Sequence, residues 1–150
     1  EAICATGIRV SELRFFTLEA ARAGKAVVTN KGKTREVYLP GKLCKRLREY
    51  AKAHGVLSGP VLVTSGGRPL DRSNLWREMK SLCREARVAA GKVFPHNLRH
   101  LFARTFYKAE RDLARLADIL GHASVDTTRI YTLETGSAWR RRLEKLDLLL

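Results

Sequence analysis

The sequence has no apolar run long enough to cross a membrane, and its first residues lack the basic, apolar and small-residue order of a secretory signal. No segment sets a clean apolar face against a basic one, which argues against a helix lying on a membrane surface. Cysteine is scarce. Cys4, Cys44 and Cys83 are odd in number, far apart and set in apolar patterns. They read as buried free thiols in a reducing compartment, the cytoplasm, and no cysteine pair has the spacing of a zinc site. Neither a metal nor any other cofactor is expected. Internal repeats and low-complexity linkers are absent, so one domain is expected. Acidic residues are also few: 15 Asp and Glu stand against 29 Lys and Arg, a formal net charge of +14 in 150 residues. Solubility alone rarely needs so much charge of one sign, so a polyanionic partner is expected.

The chain opens at Glu1 without Met and enters in mid-helix, which reads as a fragment of a longer protein. The first helix stops at Gly7, and a second is expected from Ile8 to Phe16, with Arg9 and Glu12 one turn apart. Three short β signals follow, Thr17–Ala21, Ala26–Thr29 and Glu36–Leu39, the last two flanking the turn Asn30-Lys31-Gly32-Lys33. Leu43, Leu47, Tyr50 and Ala51 mark an amphipathic helix. Asp71 or Ser73 caps a longer one with Leu75, Met79, Leu82, Cys83 and Ala86 on its buried stripe, ending at Gly91. Its other side carries Arg72, Arg77 and Lys80, where a phosphate backbone could lie. Leu113, Leu116, Ala117 and Leu120 define a helix closed by Gly121, and Ser124 caps the next. In the tail, Trp139, Leu143 and Leu146 form an apolar stripe. The expected fold is mainly α with a small antiparallel three-stranded sheet.

Chemistry concentrates at Phe94-Pro95-His96-Asn97-Leu98-Arg99-His100. Pro95 suits the first turn of a helix, and Leu98, Leu101, Phe102 and Phe106 give it an apolar stripe. His96 and Arg99 then stand three apart in a first turn, where exposed N–H groups and the dipole favour an anion. A guanidinium fork beside them suits a phosphate.

Five signals now stand in order: Arg9 after a glycine turn, Lys31 on a hairpin, His96 with Arg99, His122 after Gly121, and Tyr131. In this order the chain resembles the tyrosine recombinases, or phage-type and Xer-like integrases, over essentially its whole length. Ala5-Thr6-Gly7-Ile8-Arg9-Val10-Ser11-Glu12-Leu13, Asn30-Lys31-Gly32-Lys33-Thr34-Arg35, Pro95-His96-Asn97-Leu98-Arg99-His100, and Leu120-Gly121-His122 followed by Thr127-Thr128-Arg129-Ile130-Tyr131 carry the resemblance. It implies a recombinase catalytic domain over residues 1–150, without the N-terminal DNA-gripping domain, and with a tail, residues 137–150, that packs on a neighbouring protomer. The resemblance implies that Arg9 and Arg99 hold the scissile phosphate, Tyr131 attacks it, Lys31 protonates the departing 5′ oxygen, and His96 and His122 handle protons and donate to the phosphate. Glu12 would steady Arg9. Lys33 competes with Lys31 as the hairpin lysine, and Arg35, Arg72, Arg77 and Lys80 would meet DNA. The implied partners are double-stranded DNA at specific sites and further copies of the chain, a tetramer in the synapse. Integrases of mobile elements such as conjugative transposons are the implied subfamily. Alternatives are a type IB topoisomerase-like nicking-closing enzyme and a non-catalytic basic DNA-binding module.

Overall fold

The computed structural model describes residues 1–131 apart from Lys31, Ser65 and the side chain of Lys92. The tail stripe of Trp139, Leu143 and Leu146 and the hairpin Lys31 therefore lie outside the described residues. Helix α1 (Ala2–Thr6) ends on Gly7 at φ 66°, a left-handed cap whose N–H donates to the Ile3 carbonyl. The helix expected from Ile8 is a tighter 3₁₀ helix, Val10–Phe15. Helix α2 (Leu18–Ala23) replaces the first expected strand. Thr17 is not a strand residue but an N-cap: its hydroxyl accepts from the Ala20 N–H at 3.0 Å. Leu18-Glu19-Ala20-Ala21-Arg22-Ala23 is a run of good helix formers that Gly24 then stops.

The sheet accordingly has two antiparallel strands, β1 (Lys25–Asn30) and β2 (Lys33–Tyr38), rather than three. In their register Ala26 faces Val37 and Val28 faces Arg35. Ala26, Val28 and Val37 are buried, and the period of two puts Arg35 on that same inner face. Helix α3 (Gly41–Ala53) buries Leu43, Cys44, Leu47 and Ala51 against α2.

Helix α4 (Arg72–Glu85) is capped by Asp71, which accepts from the Asn74 N–H at 2.8 Å. Its stripe is narrower than the sequence suggests. Met79 and Cys83 are buried, Ala86 is exposed and Leu82 is 60% exposed. The helix stops before Gly91, because Arg87 already has φ 53°, and Gly91 falls in a 3₁₀ turn, Ala90–Lys92. Helix α5 (Pro95–Glu110) packs on α1. It buries Pro95, Arg99 and Ala103, one side at i, i+4 and i+8, while Leu101 of the expected stripe is 56% exposed. Helix α6 (Leu113–Leu120) ends on Gly121 at φ 65°, and α7 (Asp126–Arg129) follows. The Ser124 hydroxyl accepts from the Asp126 N–H at 3.1 Å at its entry.

Two apolar clusters result among the described residues. The larger joins Ile3, Ile8, Phe16, Val28, Leu43 and Val61 with their neighbours; the smaller gathers Ala103, Leu116, Leu120 and Tyr131. The candidate site forms where the turn after α1, the start of α5 and the turn after α6 meet.

Candidate active site

Glu12 is the pivot of the first half of the site. Its carboxylate is 1% exposed, yet two arginines reach it. Arg35 grips it as a parallel fork, with Nη1 to Oε1 and Nη2 to Oε2 both at 2.9 Å. Arg9 donates its backbone N–H to Oε2 at 2.8 Å and Nη1 to Oε1 at 3.3 Å. Burial opposes the carboxylate's charge, but the hydrogen bonds from Arg35 and from the Arg9 backbone, with the charges of both, hold its pKa down to about 2. Arg9 also donates Nη1 to the Leu120 carbonyl and Nη2 to the Gly121 carbonyl, both at 3.3 Å. Arg35 Nε donates to the Ile119 carbonyl at 3.1 Å. Both arginines thereby pin the carbonyl end of α6, the negative end of its dipole.

Arg99 forms the second half. It is 3% exposed; Nη1 donates to the Gly7 carbonyl at 2.5 Å and Nη2 to the Leu120 carbonyl at 2.8 Å. Burial, then the charge of Arg9, lowers its pKa to about 10, so it remains a cation at neutral pH; the neighbouring Tyr131 and Glu12 offset part of this. Nη2 also lies 3.0 Å from Nε2 of His122. A guanidinium N–H only donates, so Nε2 accepts and bears no proton. The neutral ring's proton is then on Nδ1, which donates to Thr128 Oγ1 at 2.7 Å. Burial first, then the charges of Arg99, Arg9, Arg35 and His96, hold the His122 pKa down to about 4, in keeping with a neutral ring.

Tyr131 is 7% exposed and lies nearly parallel to His122, with ring centres 6.3 Å apart. His100, which the sequence reading passed over, packs edge-on to Tyr131 at 4.8 Å and to His96 at 4.4 Å. Burial leads a downward shift of its pKa, with His96, Arg104 and Arg99 adding to it. Its i+4 spacing from His96 was the available signal. That is also a metal-ligand spacing, but no third His, Cys, Asp or Glu joins the pair among the described residues.

A cleft of about 790 Å³ has Arg9, His96 and Arg99 on its wall with Arg14, Arg72 and Trp76. A second, of about 530 Å³, joins Arg9 and His122 to Lys33 and Arg35. The structure thus gathers Arg9, Arg99, His122 and Tyr131 directly, and brings exposed His96, Arg72 and Lys33 to the adjoining clefts. Other expected DNA contacts are placed differently. The Arg35 guanidinium is engaged by Glu12 and Ile119. Lys80 donates to the Ala90 carbonyl and, at 3.0 Å, to the Val93 carbonyl, lying over the Trp76 and Phe94 rings. Arg77 is exposed on α4.

Residues 1–136 match the phage integrase family. The chain belongs to that family. Tyrosine recombinase XerA of Pyrococcus furiosus is 32% identical over 151 residues, covering 96% of this chain and 52% of that protein. Tyrosine recombinase XerD of Halalkalibacterium halodurans is 34% identical over 149 residues, covering 93% of this chain and 50% of that protein. A crystal structure of XerA recombinase superposes with a TM-score of 0.78 at 28% identity, over 99% of this chain and 55% of that one. The chain spans about half the length of the curated relatives it matches.

Proposed function

We propose that this chain is the catalytic domain of a site-specific DNA recombinase or integrase. It cleaves and rejoins double-stranded DNA through a 3′-phosphotyrosyl link, and the arginines rather than a metal ion neutralise the phosphate. One observation carries the reading: two guanidiniums meet at the Leu120 carbonyl, a neutral imidazole touches one of them, and a phenol ring lies parallel to that imidazole, between two basic clefts. A XerH recombinase bound to its difH substrate shares the fold at a TM-score of 0.74 and 25% identity, which supports DNA as the substrate.

A phosphodiester repels nucleophiles by its charge, so the planar forks of Arg9 and Arg99 hold its two non-bridging oxygens. Exposed His96 donates to the phosphate from the cleft wall. Tyr131 Oη attacks phosphorus as the bond to the 5′ oxygen breaks. A tyrosine phenol ionises near pH ~10, so a base must take its proton, and the unprotonated His122 Nε2 takes that part once its lone pair is released from Arg99 Nη2. The departing oxygen takes its proton from Lys31, with Lys33 as the second candidate on the same hairpin. The phosphotyrosyl link conserves the bond energy, and attack by a 5′ hydroxyl on it runs the steps backwards to rejoin a strand without ATP. Strand exchange between two sites requires several protomers on DNA, a tetramer at the synapse, with the tail, residues 137–150, as the exchanged segment.

The test is a nicked duplex that loses its 5′ fragment on cleavage and traps the enzyme. Tyr131→Phe is expected to bind this duplex and leave no denaturation-resistant adduct, because only the attacking oxygen is lost. Adduct at undiminished yield would remove Tyr131 from its role. Binding without adduct by the unaltered chain would favour the non-catalytic module instead.

A further inference from the structure

Thr128 has no role so far except as a partner of His122, yet it is fully buried and lies three residues before Tyr131. Its hydroxyl oxygen is 2.7 Å from His122 Nδ1, and its carbonyl accepts the Tyr131 N–H at 3.0 Å. A single residue therefore touches the histidine through its side chain and the nucleophile's backbone through its own. We propose that Thr128 is a positioning residue of the site: by accepting the Nδ1 proton of His122 it fixes that ring as the tautomer with an unprotonated Nε2 and ties its orientation to the turn that carries Tyr131. The proposal rests on the catalytic reading above and deepens it.

The argument is one of donors and acceptors. Nε2 faces Arg99 Nη2, which has only protons to offer. A proton on Nε2 would set donor against donor at 3.0 Å, and either the ring would turn or Arg99 would lose a bond. The hydroxyl of Thr128 prevents this by giving the ring proton a buried acceptor on the other side. Removal of that acceptor leaves Nδ1–H unpaired in a buried setting, which favours moving the proton to Nε2. The ring would then carry a proton where the base of the proposed reaction needs a lone pair. The hydroxyl would thus matter to cleavage without touching DNA, as groups that orient a reacting histidine do in other sites.

Nitrogen NMR of the ring, in the protein without DNA, reads the tautomer directly and independently of activity. The unaltered chain and Thr128→Ser are expected to show a neutral, Nδ1-protonated His122, and Thr128→Val, which keeps the shape, to lose that signature. Single-turnover adduct formation by Thr128→Val is expected to fall roughly 10- to 100-fold, with Thr128→Ser recovering most of the rate. An Nε2-protonated ring in the unaltered chain would overturn the proposal, as would a Thr128→Val chain that keeps the Nδ1-protonated signature. Should Thr128→Val fail to fold, the tautomer in the unaltered and serine chains still decides. Failure of the unaltered chain to form any adduct would instead sink the catalytic reading, and the NMR comparison would still test the tautomer control.

Discussion

Glu12 is held as an anion by the arginines around it, against its burial, and His122 is held as a neutral ring by burial and those same arginines. That makes the stability of the fold depend on pH in a defined direction. The folded His122 pKa is about 4 against an ordinary 6.5, so between these values the unfolded chain binds more protons than the folded one. Its contribution is fully present above pH 6.5 and is lost as pH falls toward 4. His100, also shifted downward, acts in the same sense. Glu12 extends the loss at lower pH: its pKa drops from 4.5 to about 2, so its contribution is present above 4.5 and disappears as pH falls through 2. The melting temperature is therefore expected to fall on acidification from pH 7 to 4. His122→Gln should flatten part of that slope and leave the fall below about pH 4.5 in place. Thermal melts at half-unit pH steps check this; a flat profile between pH 4 and 6.5, or an unchanged slope in the variant, would contradict the arrangement drawn around His122.

The turns around the site hold its side chains as firmly as the helices do, and two glycines show how. Gly7 has φ 66°, and its carbonyl accepts from Arg99; a Cβ there would lie 2.9 Å from Leu120 Cδ2 and closer still to the Phe102 ring. Gly121 has φ 65°, and a Cβ would lie 2.8 Å from Arg35 Nη1. Gly32 has φ 75° but open space around it. Gly32→Ala should lose about 1–2 kcal/mol, the strain of a left-handed alanine alone. Gly7→Ala should lose clearly more, because a packed ring and a leucine must also move. Denaturant titration of both variants measures the gap, and equal losses would mean that the α1–α5 contact is looser than drawn. These same turns explain why so much of the site was legible in the sequence. Gly7, Pro95 and Gly121 are local signals that end or begin helices, and Arg9, Arg99 and His122 stand at fixed offsets from them. The parts that were not legible depend on long-range packing. Arg35 reads as a basic hairpin residue until its phase with Val37 and Leu39 is recognised as the inward one, and only Glu12, 23 residues away, gives it a destination. His100 and Thr128 matter through what they touch across the fold, which no local pattern encodes. Thr17–Ala21 carries a strand signal because a leading Thr suits a strand as well as a cap, and the cap wins because Gly24 is close enough to end a short helix. The expected stripe of α5 holds at Leu98, Phe102 and Phe106, which pack against the two clusters, and departs at Leu101, while the helix buries Arg99.

At the scale of the whole molecule the net charge of +14 is the dominant property, and the question is whether it is diffuse or aimed. Several basic residues away from the site are neutralised locally, as Lys25 is by Glu36, Lys45 by Glu49, Arg46 by Glu1 and Arg129 by Asp126. The wall of the larger cleft is different: Arg14, Arg72 and His96 face a single acidic lining residue, Asp71, whose carboxylate is spent on capping α4, and they stand beside Arg99 and beside Arg9, whose partner Glu12 is shared with Arg35. An aimed charge of this kind makes ion pairs with successive phosphates and releases their counterions. Duplex affinity should then fall steeply as salt rises, and the slope should depend on which cation is removed rather than on how many. Arg14→Gln and Arg72→Gln are each expected to reduce the slope of log K against log salt by about one. Lys42→Gln and Lys52→Gln on α3, which also remove one positive charge from exposed positions, should leave it nearly unchanged. Binding isotherms on one duplex from about 50 to 200 mM salt make the comparison, a range over which several phosphate contacts produce an easily measured change. Equal slopes for the cleft and α3 variants would show that the charge acts as a diffuse cloud and is not aimed by the Arg9–Arg72 cleft.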